Sequence, residues 1–265
     1  MGKIESFTLD ISPLSSSPRK IWVYLPDGYD KSNKKYDVLY MFDGHNLFYD
    51  DVATYGKSWG IKEYLDNNNI NLVVVGQECN HEGEKRMDEY CPLEARQTRW
   101  LKEPIKPEGD ITAEWFVKVL KPTCEKKYRI YKDRRHVGIA GSSMGGLMSA
   151  YVIAKYNNVF SKAAIVSPAI YFCEKPLTEL IRQTEFKDTK IYLDYGSDEF
   201  RNKQRLATAM DSLLQLNYEY AKKGCNTFPN IVVNGTHSEA SWETIVPLFI
   251  EYLYLWFIVI NQTTR

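Results

Sequence analysis

Apolar and polar positions alternate over residues 4–11 and again over 20–25, with β-branched and aromatic side chains at the apolar places. That period of two predicts two strands with one wet face, and the stretch from Pro13 to Pro18 predicts the turn that folds them into an antiparallel edge. After the stop at Pro26, Asp27 and Gly28 the pattern changes. Residues 36–42 are apolar at nearly every position, and similar runs recur at 71–76, 136–140, 162–166 and 190–195. A strand covered by helices on both faces needs such a run, so these five predict a mostly parallel central sheet. Helix-period stretches lie between and after them, at 59–67, 114–128, 147–156 and 202–216, and a last strand pattern covers 230–234. The alternation of strand and helix predicts one α/β domain over residues 1–265, with helices flanking the sheet. Residues 78–110, rich in charge, Pro and Gly, are long for a plain connection and predict an insertion that shapes a cleft. The apolar run 252–260 is too short to cross ~30 Å of hydrocarbon as a helix. It predicts a buried terminal element, with a homodimer contact as the alternative.

Charge removes whole classes of partner. Lys plus Arg and Asp plus Glu both number 34, so no net field draws a phosphate backbone or an anionic membrane, and neither nucleic acid nor a membrane is expected. Five cysteines at 79, 91, 124, 173 and 225 are too scattered for a zinc knuckle or a redox pair, and an odd count without an apolar leader segment predicts a reducing, cytoplasmic setting. The four histidines are also far apart in sequence, and no metal or other cofactor is expected. The chain carries 19 Tyr, 11 Phe and 6 Trp, side chains that stack on sugars and rings and slightly favour a ligand groove.

The sharpest chemical signal is Gly141, Ser142, Ser143, Met144, Gly145, followed by Gly146, placed between a buried-strand pattern and a helix pattern. This is the context of a G-x-S-x-G elbow, a sharp turn that exposes the serine Oγ and closes only if its neighbours are small. Ser143 is therefore the expected nucleophile. A serine attacks at neutral pH only when a base takes its proton and an acid orients that base. His237 is the sole histidine after Ser143, in a turn that follows the last strand pattern, and is the expected base. For the acid, the strand pattern 190–195 runs into Gly196, Ser197, Asp198 and Glu199. Asp198 is the expected partner of His237, with Glu199 the alternative. A developing oxyanion needs two donors. The backbone N–H of Met144 supplies one, and the loop after the third strand supplies the other through His45, whose imidazole is expected either to face substrate or to pack on Tyr or Trp.

These stretches resemble the putative esterase family of α/β-hydrolases, which includes esterase D-like, feruloyl esterase and enterochelin-esterase-like proteins and mycolyltransferases. The resemblance rests on Tyr40 through Phe48, on Arg86 with Glu89, Tyr90, Cys91 and Pro92, on the elbow, on the acid turn Gly196 to Glu199, and on Gly235, Thr236 and His237 with Trp242 five residues on. It departs from the family at His45, where glutamine is common. The resemblance implies an α/β-hydrolase fold, no cofactor, and hydrolysis or transfer of acyl groups. The expected activity is thus that of a serine esterase working through an acyl-enzyme on a small-molecule or oligosaccharide ester, such as a carbohydrate-linked acetyl or feruloyl group. The alternatives are an acyltransferase with the same triad and a non-catalytic binding protein that keeps the fold.

Overall fold

A computed structural model of the chain describes residues 1–96 and 103–255. Its strands are β1 (Lys3–Leu9), β2 (Arg19–Leu25), β3 (Asp37–Phe42), β4 (Leu72–Gln77), β5 (Val137–Ser142), β6 (Lys162–Val166), β7 (Lys190–Gly196) and β8 (Asn226–Val232). Its helices are α1 (Ile61–Asn67), α2 (Lys85–Glu89), α3 (Gly109–Trp115), α4 (Lys121–Lys127), α5 (Met144–Lys155), α6 (Glu174–Gln183), α7 (Lys203–Lys222) and α8 (Glu239–Ile250). The strands form one sheet in the order β1-β2-β4-β3-β5-β6-β7-β8. The predicted antiparallel edge is present, with Ile4 opposite Tyr24 and Leu9 opposite Arg19, and β2 also runs antiparallel to β4. Every other pairing is parallel.

The near-continuous apolar runs are explained by two cores on opposite faces. Along β3, Val38, Tyr40 and Phe42 join one cluster with Met144, Leu147 and Met148 of α5. Leu39 and Met41 join the other, with Trp242, Ile245 and Phe249 of α8. Alternate side chains on one strand thus meet different helices, which a half-buried strand could not satisfy.

Several elements differ from expectation. The strand predicted at 230–234 begins at Asn226 and ends at Val232, because β8 is an edge strand bonded only to β7. An edge tolerates Pro229, and half its side chains meet water, which blurs the apolar pattern. The helix predicted at 114–128 starts at Gly109, and α3 passes through a π-helical turn at Phe116–Leu120 into α4. Pro122, with no N–H to give to the preceding turn, sits where the regular helix resumes. Helices α6 and α8 were not predicted. Of α6 only Leu177 and Ile181 are fully covered, a stripe too thin to stand out in the sequence. The insertion expected at 78–110 contains α2 and the start of α3, and its residues 97–102 lie outside the described residues. Of the apolar run 252–260, residues 252–255 fall in a π-helical turn that continues α8, with Tyr252 and Leu253 buried, while 256–260 lie outside the described residues.

Candidate active site

Strand β5 ends at Ser142, and Ser143 is the residue before α5. Its backbone sits at φ 57, ψ −119, a region that side chains enter only under compulsion from their surroundings. The compulsion is visible in the turn. Ser143 N–H donates to the Val166 carbonyl at 3.1 Å, and its own carbonyl accepts from Leu147 and Ala169. A Cβ on Gly141 would lie 2.7 Å from the Gly145 backbone, and one on Gly145 would lie 2.9 Å from Phe42 Cβ. The elbow closes only because both positions are glycine.

Beside that turn lies a histidine–carboxylate pair. His237 Nδ1 is 2.8 Å from Glu199 Oε2, and the Glu199 side chain is 1% exposed. The other Glu199 oxygen accepts from Gly196 N–H at 2.6 Å and from the Ser167 hydroxyl at 2.5 Å. Ser167 in turn accepts from the Trp242 indole at 3.0 Å, and the Trp242 ring meets the His237 ring edge-on with centroids 5.1 Å apart. The pair is joined to the elbow by sequence as well as space, since Val166, which holds Ser143 N–H, is the neighbour of Ser167.

The expected pairing of His237 with Asp198 is therefore corrected: the partner is Glu199. Asp198 points into solvent and pairs with Lys203 at 2.9 Å. Its N–H bonds the Gly235 carbonyl, continuing the ladder begun by Ser197 N–H to the Val232 carbonyl. The chain leaves β7 at Gly196 in a turn closed by Glu199 N–H to the Gly196 carbonyl at 3.4 Å, and this turn sends Asp198 outward and Glu199 inward.

Asp194 occupies the same neighbourhood without touching His237. It is buried at the end of β7 and accepts from Ser167 N–H at 3.0 Å and from the Tyr192 hydroxyl at 2.8 Å. Burial pushes its carboxyl up to about 7, against the pull of those two bonds, and the nearby Glu199 charge pushes the same way.

The turn after β3 lies against the start of α5. Asp43, at φ 56, has its carboxylate gripped by Arg86 through Nε at 2.8 Å and Nη2 at 2.7 Å. Burial would raise the Asp43 carboxyl, yet the Arg86 charge and its two bonds hold it below the usual range. The following 3-10 turn, Gly44–Asn46, carries His45. The Asn46 side chain donates to the buried Glu239 at 3.1 Å and accepts from Thr54 N–H at 2.9 Å, tying this turn to the helix that begins two residues after His237. Among the described residues the His45 imidazole packs on neither Tyr nor Trp. Its Nε2 is 2.9 Å from the Thr54 hydroxyl, and its ring meets His81 edge-on at 4.7 Å. Met144, at the first position of α5, is buried. The first N–H groups of a helix have no partner within it, and those of Met144 at the start of α5 and of His45 in its short turn are of this kind.

Ser167, Glu239 and Thr54 carry no signal in the sequence beyond their residue types, and sequence reasoning missed them. The roles of Arg86 and Trp242 were accessible only through the family resemblance. A cavity of about 460 Å³ between α5 and α6, with Leu93, Tyr151, Lys155 and Leu180 in its wall, contains none of these site groups.

The strand order, the two antiparallel outer strands and the strained serine between the fifth strand and its helix define an α/β-hydrolase. The chain belongs to the Putative esterase family, whose pattern it matches over residues 12–248. It is 25% identical over 205 residues to the uncharacterized protein YbbA of Bacillus subtilis (strain 168), a match spanning 76% of each chain. Among solved structures it resembles the siderophore hydrolase EstA of Aspergillus nidulans, with TM-score 0.71, 16% identity and 95% of each chain covered. It also resembles the ferulic acid esterase AmCE1/Fae1A of Anaeromyces mucronatus, with TM-score 0.65, 18% identity, and 96% of this chain and 90% of that one covered. Family and fold together place the chain among esterases of the serine-hydrolase type. No helix among the described residues is long and apolar enough to cross a membrane.

Proposed function

We propose that the protein is a serine carboxylic-ester hydrolase in which Ser143 is the nucleophile, His237 the general base and Glu199 the acid. The observation that carries this reading is the buried Glu199 carboxylate bonded to His237 Nδ1 at 2.8 Å, next to the strained turn of Ser143. With Nδ1–H donated to Glu199, the Nε2 lone pair is the free basic site of the ring. His237 takes the Ser143 proton as Oγ attacks the ester carbonyl, and the N–H groups of Met144 and His45 receive the oxyanion. The imidazolium then protonates the departing alcohol. Water, activated by the same imidazole, cleaves the acyl-enzyme and restores the serine.

The substrate class is a small-molecule or oligosaccharide ester, with acetyl or feruloyl groups on carbohydrate as the first candidates. The aromatic content and the likeness to a ferulic acid esterase support it. All five cysteines are free, which supports action in a reducing, cytoplasmic setting.

The test is a panel of acetyl, butyryl, octanoyl and feruloyl esters with wild type and Ser143→Ala, together with mass mapping of a serine-reactive phosphonate. Turnover of at least one ester, lost in S143A, with the adduct on Ser143, is expected. An adduct on Ser142, or full activity in S143A, overturns the assignment.

A further inference from the structure

His45 is separated from Cys79 and His81 by the whole of α1 and β4, yet the fold brings the three together at the end of the sheet. One donor atom from each lies within 4.8 Å of the other two. Cys79 Sγ is 3.9 Å from His81 Nδ1, and the two imidazoles are in edge contact. The expectation that no metal-ligand group forms rested on sequence spacing, which does not see this approach.

Two further features separate this cluster from a chance meeting. His45 is 93% buried, from a relative exposure of 7%, and its Nδ1 has no hydrogen-bond partner among the described residues. A buried polar atom left unmet costs stability, and such atoms in folded proteins generally await a partner. In addition, each imidazole has a polar side chain beside its other nitrogen, within hydrogen-bond distance for His45 only. His45 Nε2 meets the Thr54 hydroxyl at 2.9 Å, and His81 Nε2 faces Glu78 Oε2 at 3.6 Å. Metal-bound histidines are held in this way, by an outer partner on the second nitrogen that fixes the ring and directs the first nitrogen's lone pair to the ion.

We propose that His45 Nδ1, Cys79 Sγ and His81 Nδ1 form a binding site for a borderline-soft divalent cation of the Zn²⁺ class, with a water in the fourth position. Two imidazoles and a thiolate suit such an ion, whereas Mg²⁺ and Ca²⁺ require oxygen donors. A tetrahedral centre with Zn–S near 2.3 Å and Zn–N near 2.0–2.1 Å sets its donors roughly 3.3–3.6 Å apart, so the side chains close in by about an ångström. On binding, the Cys79 thiol gives its proton to solvent and the thiolate coordinates the ion. His81 is more than half exposed and provides the entry path. The ion links the turn after β3 to the segment after β4. This assignment is independent of the esterase reading and stands or falls without it.

The test uses the full chain, stripped by chelation and titrated with Co²⁺ and then Zn²⁺. One equivalent of Co²⁺ should give the strong visible bands of a tetrahedral centre and a thiolate-to-metal charge-transfer band, both erased by Zn²⁺. Zn²⁺ should also raise the melting temperature of the wild type. His81→Ala and Cys79→Ser should each lose the charge-transfer band and weaken Zn²⁺ binding more than about 100-fold, since an outer partner alone is worth about 10–100-fold. Because His81 faces solvent, H81A is expected to melt like the metal-free wild type, which separates lost ligation from lost folding. A Co²⁺ spectrum without thiolate character, or Zn²⁺ binding equally tight in H81A, overturns the proposal.

Discussion

Replacing Glu199 by glutamine changes one atom and leaves no orientation of the side chain without conflict. One carboxylate oxygen accepts from the Gly196 N–H and the Ser167 hydroxyl, and the other faces His237 Nδ1. If the glutamine oxygen keeps the Gly196 bond, its NH₂ faces Nδ1. The imidazole must then present a lone pair there and carry its proton on Nε2, the tautomer that cannot accept a proton from Ser143. If the amide is flipped, its NH₂ points at a backbone N–H inside the protein, a clash of two donors that costs roughly 1–3 kcal/mol in stability. The first arrangement is cheaper for folding and ruinous for catalysis. In serine proteases the equivalent change costs roughly 10⁴-fold in kcat, or about 5 kcal/mol of transition-state stabilisation at ~1.36 kcal/mol per factor of ten. Glu199→Gln should therefore lower kcat about 10³–10⁴-fold on whichever ester the panel selects. Asp198→Asn should change kcat less than about twofold, because Asp198 is half exposed and its side chain pairs with Lys203, a contact of the kind worth about 0.2–1 kcal/mol. Steady-state kinetics on both variants, with thermal melts to exclude unfolding, decide the matter. If D198N is the crippled enzyme and E199Q turns over almost normally, the geometric reasoning fails.

Ser143→Ala should abolish turnover with the fold intact, while Ser143→Gly should abolish it and raise stability by about 1 kcal/mol in urea titrations, because glycine relieves the backbone at φ 57; a destabilised S143G would show that the turn is not strained. Arg86→Met leaves the Asp43 carboxylate buried without its cation, so a loss of about 3 kcal/mol is expected together with reduced kcat/KM from a loosened oxyanion turn; wild-type stability in R86M would show that Asp43 does not depend on the pair. Asp194 has a folded-state pKa raised from the ordinary ~3.9 to about 7, so the native protein keeps a proton that the unfolded chain releases between those values, and this group's contribution to stability falls as pH rises through about 7. Asp194→Asn, whose oxygen keeps the Ser167 N–H bond while its NH₂ donates to a rotated Tyr192 hydroxyl, should gain on the wild type by up to about 4 kcal/mol between about pH 4 and pH 8; parallel stability curves would exclude a titrating carboxyl at this position.

The sheet was legible in the sequence because burial on both faces writes itself as uninterrupted apolar runs, and all five such runs are strands. Edge strand β8 was misplaced, since Asn226, Pro229 and Asn230 face water or lie at an edge where a weak pattern suffices. The elbow could be read because its requirement is local: two glycines, a serine, a strand before and a helix after. The His237 partner could not, for a reason just as physical. Whether Asp198 or Glu199 turns inward depends on the turn that follows Gly196, and that turn is held by backbone bonds to Val232, Gly235 and Gly196 which no side chain announces. The meeting of His45 with Cys79 and His81 was invisible on the same grounds, being set by the parallel register of β3 with β4 that brings Phe42 opposite Gln77.

Glutamate suits this turn better than aspartate because of where the carboxylate must go. It reaches back three residues to the Gly196 N–H at the end of its own strand while also meeting His237 from the next loop. The extra methylene lets one side chain span both. Ser167 completes the arrangement from a neighbouring strand end: its N–H goes to Asp194 and its hydroxyl to Glu199, so two buried carboxyl groups share one residue. Placing two carboxylates so close in a dry site favours keeping one of them neutral. Asp194, whose carboxyl burial pushes up to about 7, is the one favoured in its neutral form, and Glu199 is the one that faces the imidazole of His237. Trp242 closes the circuit by giving its indole N–H to the same Ser167 hydroxyl and its ring to the edge of His237. The hydroxyl therefore has no choice but to donate to Glu199, and the direction of every bond leading to Nδ1 of His237 is fixed before substrate arrives.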